Sequence, residues 1–142
     1  GKVDLAYDEV VTRQNEEADG KLKFGMAAAV GTSAGSTVKV PVEGTTKVQI
    51  EGVVLHAANT EQDMSGKVIL KKDASVGIMR KGHVWGRLAT GVNPTYGATA
   101  YVVTSGDDAG AFTDAADNGL DIGAKFGNAS DTDNGIAVIE LG

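Results

Sequence analysis

The chain has 142 residues, a formal net charge of −6 and no cysteine, which excludes disulfides, thiolate metal sites and a cysteine nucleophile. Its length suits one domain, while 20 glycines and only three Phe, three Tyr and one Trp predict many turns and a core of small aliphatic side chains. The acidic balance argues against nucleic-acid binding, and no stretch has the layout of a membrane helix or a signal peptide, so we expect a soluble protein that contacts no membrane.

The first 23 residues differ from the rest of the chain because they are highly charged and alternate apolar and polar residues only at their start. The apolar positions there are Val3, Leu5, Tyr7 and then Val10 or Val11. This spacing favours an extended segment that adds to a sheet edge or to a neighbouring molecule, although a short amphipathic helix over residues 5–11 also fits. We therefore divide the chain into an N-terminal arm, residues 1–23, and a β-rich domain, residues 24–142.

Residues 31–35 read GTSAG, which matches the G-x-S-x-G pattern of a hydrolase nucleophile elbow. An elbow needs a strand before the serine and a helix after it. The strand-like FGMAAAV precedes Ser33, but the following STVKVPVEG alternates like a second strand, and no histidine follows His83 to act as the base. We interpret GTSAG as a glycine-rich turn between two strands.

From Phe24 onward the pattern is one of short strands separated by turns about every 10–15 residues. The predicted strands are FGMAAAV, TVKVPV, KVQIEGVVLH, KVILKK, SVGIMRKG, HVWGRLA, ATAYVVTS, LDIGAKF and GIAVIELG. No segment keeps a helical period for ten residues, and two Asn-Gly steps suit tight turns. The sequence predicts an all-β fold: a single-domain β-sandwich or β-barrel of short antiparallel strands with an extended N-terminal arm.

Alternation within these strands also predicts the core. The candidates are Val38, Val40, Val48, Ile50, Val54, Val68, Leu70, Val76, Ile78, Val84, Leu88, Val102, Ile122, Phe126, Val138 and Ile139. Trp85 has the opposite phase from Val84 and Leu88. It is either a packing residue on the second face of its strand or a contact for a partner, and we favour packing.

The acidic stretches DDAGAFTDAADNGLD and DTDNG raise the question of a calcium site. If Gly135 takes the sixth position of an EF-hand loop, the first, third and twelfth positions are occupied by Ser130, Thr132 and Leu141, which is the wrong ligand set. The two histidines are too few for a metal site, and no phosphate-binding loop is present. We expect no catalytic residue, no metal and no cofactor.

Charge is distributed unevenly along the chain. Residues 64–90 carry six basic and one acidic side chain, whereas residues 1–63 and 91–142 are both acidic overall. We expect the strands to bring these segments together into a mixed, soluble surface, with a basic binding face as the alternative.

The order of features from about residue 20 to the C-terminus resembles the capsid decoration, or structural cement, proteins of tailed bacteriophages. The resemblance is carried by FGMAAAV, KVPV, EGVVLH, ILKKDASVGIMRKGHVWGRL, YGATAYVVTSGDDAGAFT and LDIGAKFGNASDTDNGIAVIELG. It implies a non-enzymatic protein on the outer surface of the virion, made in the host cytoplasm. Its partners would be the major capsid protein and further copies of itself, with a trimer favoured over a dimer.

Two other functions remain open from the sequence. One is a receptor- or carbohydrate-binding β-domain of a phage tail or fibre, which would need an exposed aromatic cluster. The other is a hydrolase that uses Ser33. As contact residues for a capsid partner we select the apolar positions of the arm and the cations of the basic middle segment: Leu5, Tyr7, Val10, Val11, Lys71, Lys72, Arg80, Lys81 and Arg87.

Overall fold

The computed structural model describes residues 9–55, 70–117, 119–133 and 135–141. Within these ranges the chain is all-β, with no α-helix. The strands are β1 (Glu9–Asn15), β2 (Ala27–Val30), β3 (Thr37–Lys39), β4 (Ile50–Val54), β5 (Ser75–Arg87), β6 (Thr99–Val103), β7 (Phe112–Thr113), β8 (Gly119–Asp131) and β9 (Ile136–Leu141), and a 3₁₀ turn spans Lys47–Gln49. No helix among the described residues is long and apolar enough to cross a membrane. The all-β prediction is confirmed.

The first five strands close into a small barrel in the order β1-β3-β2-β4-β5. β1 closes it by pairing on both sides. It runs antiparallel to the first half of β5, and at Gln14 and Asn15 it runs parallel to β3. The other neighbours in this barrel, β3 with β2, β2 with β4 and β4 with β5, are antiparallel.

The remaining strands form a second unit in the order β5-β9-β8-β6-β7. The second half of β5 pairs with β9, and the two-residue strand β7 pairs with β6. A parallel bridge between Leu88 and Phe112 brings β7 back to the end of β5. This second unit is therefore also nearly closed, and we call it the second barrel.

β5 belongs to both barrels because it bends where they meet. Glu9 pairs with Lys81 while the next residue, Val10, pairs with Met79, so Arg80 is the extra residue of a β-bulge. Gly82 follows with a φ of 114°, a conformation that side chains rarely adopt. A bulge bends the strand and increases its twist. This local irregularity lets one 13-residue strand serve two barrels.

Each barrel has its own hydrophobic core, and β2 and β4 contribute to both. Ala28 and Val54 belong to the core of the first barrel, whereas their neighbours Ala27 and Val53 belong to the core of the second. Alternate residues of a strand point to opposite faces, so these two strands are buried on both sides. The first core is otherwise aliphatic, while the second contains Phe112 and Phe126.

The sequence-based core prediction is largely confirmed. The buried candidates are Val38, Val40, Val54, Leu70, Val76, Ile78, Val84, Leu88, Val102, Phe126 and Ile139. Ile50, Ile122 and Val138 are half-buried, and Val68 lies outside the described residues. Val48 is wrong: it is 87 % exposed because KVQ forms the 3₁₀ turn instead of the start of a strand.

The strand predictions need four corrections. The predicted strands SVGIMRKG and HVWGRLA are one continuous strand, β5, since the glycine between them lies in the bend. Lys71 and Lys72, predicted at the end of a strand, lie just before and within a turn. β7 was not predicted, and β1 lies inside the segment that we assigned to the arm.

Candidate functional site

The GTSAG segment is a connection between two antiparallel strands, β2 and β3. Ser33 is exposed, and its carbonyl accepts the backbone N–H groups of Ser36 and Thr37 at 2.9 Å each. No helix leaves the turn. The interpretation of this motif as a turn between strands is confirmed, and the geometry of a nucleophile elbow is missing.

The turn is organised by the carboxylate of Glu16. Its oxygens accept the Thr32 N–H at 2.7 Å, the Thr32 hydroxyl at 3.1 Å and the Thr37 hydroxyl at 2.8 Å. The Thr32 N–H, followed by the Thr37 hydroxyl, holds the pKa of Glu16 below its ordinary value. A Cβ on Gly31 would collide with the Glu16 carboxylate and the Thr37 hydroxyl. The glycine of the motif therefore makes room for a structural carboxylate.

Three further side chains at the end of β1 and just after it bind backbone groups of neighbouring segments. Glu17 accepts the Val40 N–H at 2.8 Å, and Asp19 accepts the Lys72 N–H at 2.8 Å. The fully buried Asn15 donates to the Lys71 carbonyl at 2.9 Å and accepts the Glu17 N–H at 2.9 Å. We call Asn15, Glu16, Glu17 and Asp19 the polar clamp. These residues hold the first barrel together and are engaged within the chain.

The structure separates the predicted basic contact residues. Lys71 lies 3.8 Å from Asp19, and Arg80 lies 4.0 Å from Glu9, so each is near an acidic residue from the N-terminal part of the chain. Lys81 and Arg87, both exposed, form no ion pair with another described residue. The mixed surface expected from the charge pattern is thus present around Lys71 and Arg80, whereas Lys81, which pairs across the strands with Glu9, and Arg87 form no such ion pair.

The predicted arm residues are only partly within the described chain. Leu5 and Tyr7 lie outside it. Val10, which is 51 % exposed, and Val11, which is half-buried, lie in β1. Gln14 donates its N–H to the Ser36 carbonyl, on the side of β1 that faces β3. The backbone N–H and C=O groups of Val10 and Thr12 point to the same side, because alternate residues of a strand share one direction. The described residues place no strand beside Val10 and Thr12 on that side. This part of the chain is extended, in line with the first of the two interpretations of the arm.

The second half of β5 presents a row of exposed side chains on its outward face. Alternate positions Val84 and Gly86 are buried in the second barrel, and the four residues between and around them point outward. We call these four the β5 row: Lys81, His83, Trp85 and Arg87. Trp85 is 47 % exposed, so packing covers only part of its ring. The packing interpretation of Trp85 is therefore incomplete.

An open groove of about 480 Å³ lies beside Trp85. Its lining is mostly apolar and includes Phe24, Leu55, Val84, Trp85 and Ile136. Across the sheet, Trp85 pairs with the half-buried Val138, and Arg87 pairs with Ile136. The apolar surface thus continues from the groove onto β9.

One pair of polar side chains lies within this surface. His83 Nε2 is 3.7 Å from Glu140 Oε2, between directly paired residues of β5 and β9. Among the described residues, no group of three His, Asp or Glu side chains is placed to hold a metal ion. The β5 row and its groove are accordingly suited to contact with another macromolecule through apolar and cationic side chains.

Comparison with known families decides what kind of molecule carries this surface. A family model described as "Structural cement protein (E217 gp24/Pam3 gp6)" matches residues 2–142. The chain belongs to this family. It is thus a structural, capsid-associated protein of a bacteriophage, and the resemblance drawn from the sequence is confirmed.

The fold recurs in a capsid. A chain from the structure titled "The capsid of Myoviridae Phage XM1" superposes with a TM-score of 0.69 at 12 % sequence identity, over 94 % of this chain and 83 % of that chain. At this identity the likeness shows that the fold is shared. No curated protein matches the chain.

Sequence reasoning singled out Trp85 but favoured packing over contact with a partner. Alternation did place Trp85 on the opposite face from Val84, which was the available signal. The signal could not reveal that the second face of β5 is left uncovered, since that depends on which strands lie next to it.

Proposed function

We propose that this protein binds the outer surface of the assembled phage head and stabilises contacts between major capsid protein subunits. It does so as a homo-oligomer, with a trimer favoured over a dimer, and without catalysis. The observation that carries the proposal is the match of the cement family over residues 2–142, which includes both barrels and the β5 row. The same match favours this function over a receptor- or carbohydrate-binding module.

The architecture suits a clamp between subunits. Two barrels that share β5, and whose cores both receive side chains from β2 and β4, form a body whose surfaces keep a fixed relation to each other. Many copies on a symmetric shell act together, so that a modest affinity at each site produces strong total binding. No chemical step is required for this role.

The proposed capsid contacts fall into two groups. The first is the apolar start of the chain, Leu5 and Tyr7 with Val10 and Val11. The second is the set of cations Lys71, Lys72, Arg80, Lys81 and Arg87. The ion pairs of Lys71 and Arg80 weaken their candidacy, whereas Lys81 and Arg87 remain available.

The position of β1 decides how the arm is tested. Removing residues 1–20 would delete β1 and open the first barrel, because β1 pairs with both β3 and β5. Removing only residues 1–8 leaves the strand in place. If the arm contributes to binding, this shorter deletion weakens attachment to heads without changing the unfolding temperature.

The experiment for the function itself uses phage-like heads that lack cement protein. Purified protein is mixed with heads or with unassembled major capsid protein, and the bound fraction is measured by sedimentation, with the mass in solution measured by light scattering. We expect saturable binding to heads, weaker binding to free subunits, a defined oligomer mass and heads that release DNA at higher temperature. Heads that stay bare and melt at an unchanged temperature would contradict the proposal.

A further inference from the structure

We propose that the β5 row and the groove beside Trp85 form the capsid-facing surface, and that they receive a large apolar side chain flanked by carboxylates on the major capsid protein. This inference rests on the proposed function and adds the contact surface and the chemistry of its partner.

The shape of the groove is fixed by backbone contacts. Gly25 donates its N–H to the Val54 carbonyl at 2.8 Å, and its own carbonyl accepts the Arg87 N–H at 2.8 Å. Gly25 has a φ of 84°, and a Cβ there would lie 2.9 Å from the Arg87 nitrogen. Only glycine lets the loop approach β5 this closely. The wall that carries Phe24 is therefore held against β5 before any partner arrives.

The side chains of this surface are those that dominate binding energy in protein interfaces. Tryptophan and arginine are enriched among residues whose truncation costs the most, especially where apolar neighbours exclude water around them. Trp85 is the only tryptophan of the chain, and it stands two residues from Arg87 on the same outward face. Phe24, Leu55 and Ile136 supply the apolar surroundings.

The charges indicate what a partner must carry. Lys81 and Arg87 are about 20 Å apart along the strand, at about 3.3 Å per residue, and the groove lies between them beside His83 and Trp85. Neither forms an ion pair within the described part of the chain, although Glu9 pairs directly with Lys81 across β1 and β5 and Glu140 lies beside His83. A partner with carboxylates on either side of an apolar side chain would match this arrangement.

The acidic loops of a second copy fit the groove poorly. The acidic turns of this chain read SGDDAGA over residues 105–111, TDAADN over 113–118 and DTDN over 131–134. None of them contains an apolar side chain larger than alanine, so none can fill a groove lined by Phe24, Leu55 and Ile136. These acidic turns therefore lack the large apolar side chain that we propose the major capsid protein supplies together with its carboxylates.

The test measures binding of variants to cement-free heads by sedimentation, at several salt concentrations. We expect Trp85→Ala to weaken binding by on the order of tenfold or more, as truncation of a central interface residue does. We expect the double variant Lys81→Gln with Arg87→Gln, which removes both charges, to bind more weakly and to lose most of the salt dependence. The matched controls are Tyr96→Ala, an exposed aromatic residue outside the row, and Lys47→Glu, an exposed cation on the 3₁₀ turn, and both should bind like the wild type.

A second measurement avoids truncation of β5. The single tryptophan is replaced biosynthetically by 5-hydroxytryptophan, whose emission can be excited apart from the capsid tryptophans. Acrylamide quenching of this label should fall when the protein saturates heads. Unchanged quenching at saturation would overturn the inference even if the Trp85→Ala protein fails to fold.

The remaining outcomes separate the two proposals. If the wild type binds heads and the Trp85 and charge variants bind equally well, the inference is wrong and the proposed function stands. If Trp85→Ala alters the oligomer mass in light scattering, the groove is a contact between copies, which also overturns the inference. If the wild type leaves heads bare, the proposed function itself fails.

Discussion

The two barrels are stabilised in different ways although they share β5. The first has an aliphatic core and is closed by the polar clamp, whose side chains bind backbone groups of three neighbouring segments. The second has two buried phenylalanines and is nearly closed by a single bridge between Leu88 and Phe112. The acidic residues that follow β1 are therefore structural, and the outward face of β5 in the second barrel is left exposed.

The largest expected effect comes from the aromatic core of the second barrel. Phe112 is fully buried and is one of the two residues in the β-bridge that nearly closes this barrel. We expect Phe112→Ala to lower the free energy of unfolding by about 3–5 kcal/mol, because it leaves a cavity among buried side chains. Urea denaturation measures this loss, and hydrogen exchange should show that β6 and β8 lose protection before β2 and β3. A loss below about 1 kcal/mol would contradict the importance of the aromatic core.

The polar clamp offers the next largest effect. Asn15→Ala removes the partner of the Lys71 carbonyl and of the Glu17 N–H, and we expect a loss of about 1–3 kcal/mol in the free energy of unfolding. Gln14→Ala is the matched control, since its side chain donates to the Asp73 carbonyl at an exposed site. If both variants were equally stable, the clamp would not explain how the first barrel is held closed.

Glu16 makes the stability of the first barrel depend on pH. Its pKa is lower in the folded chain than the ordinary value of 4.5, so its contribution is complete above pH 4.5 and is lost as the pH falls through the folded pKa. Glu16→Gln should therefore be less stable than the wild type at pH 7, and the difference should shrink in acid. Thermal unfolding between pH 7 and pH 3 tests this, with the exposed Glu43→Gln as control. A difference that stays constant across this range would exclude the carboxylate as its cause.

The smallest expected effect is at Val48, which lies outside both cores. Val48→Thr should change the free energy of unfolding by less than about 0.5 kcal/mol, because the side chain is exposed on the 3₁₀ turn. Chemical denaturation measures it. A loss comparable with that of Asn15→Ala would show that this turn packs against a surface that the monomer does not reveal.

Local patterns predicted the all-β fold, most core positions and the turn at GTSAG. They succeeded where one strand face is buried, as for Val76 and Ile78, because burial then follows alternation. They failed where the extent of a strand depends on its pairing with distant strands. The glycine between the two halves of β5 resembles a strand end, and the two residues of β7 are too few to form a pattern.

The candidate site was less accessible to sequence reasoning than the fold. Charge density selected Lys71, Lys72 and Arg80 together with Lys81 and Arg87, but composition could not show that the first of these lie near acidic residues from the N-terminal part of the chain. The exposure of Trp85 depends on the strands and loops around β5. The acidic residues near these cations and the segments around Trp85 are separated from them by tens of residues in sequence, so local patterns do not reveal the contacts.

The most direct test of the account is electron cryo-microscopy of cement-free heads saturated with this protein. The account predicts density on the outer surface of the shell, with the outward face of β5 and Trp85 against the major capsid subunits. Bare heads, or density in which Trp85 faces the solvent, would contradict it.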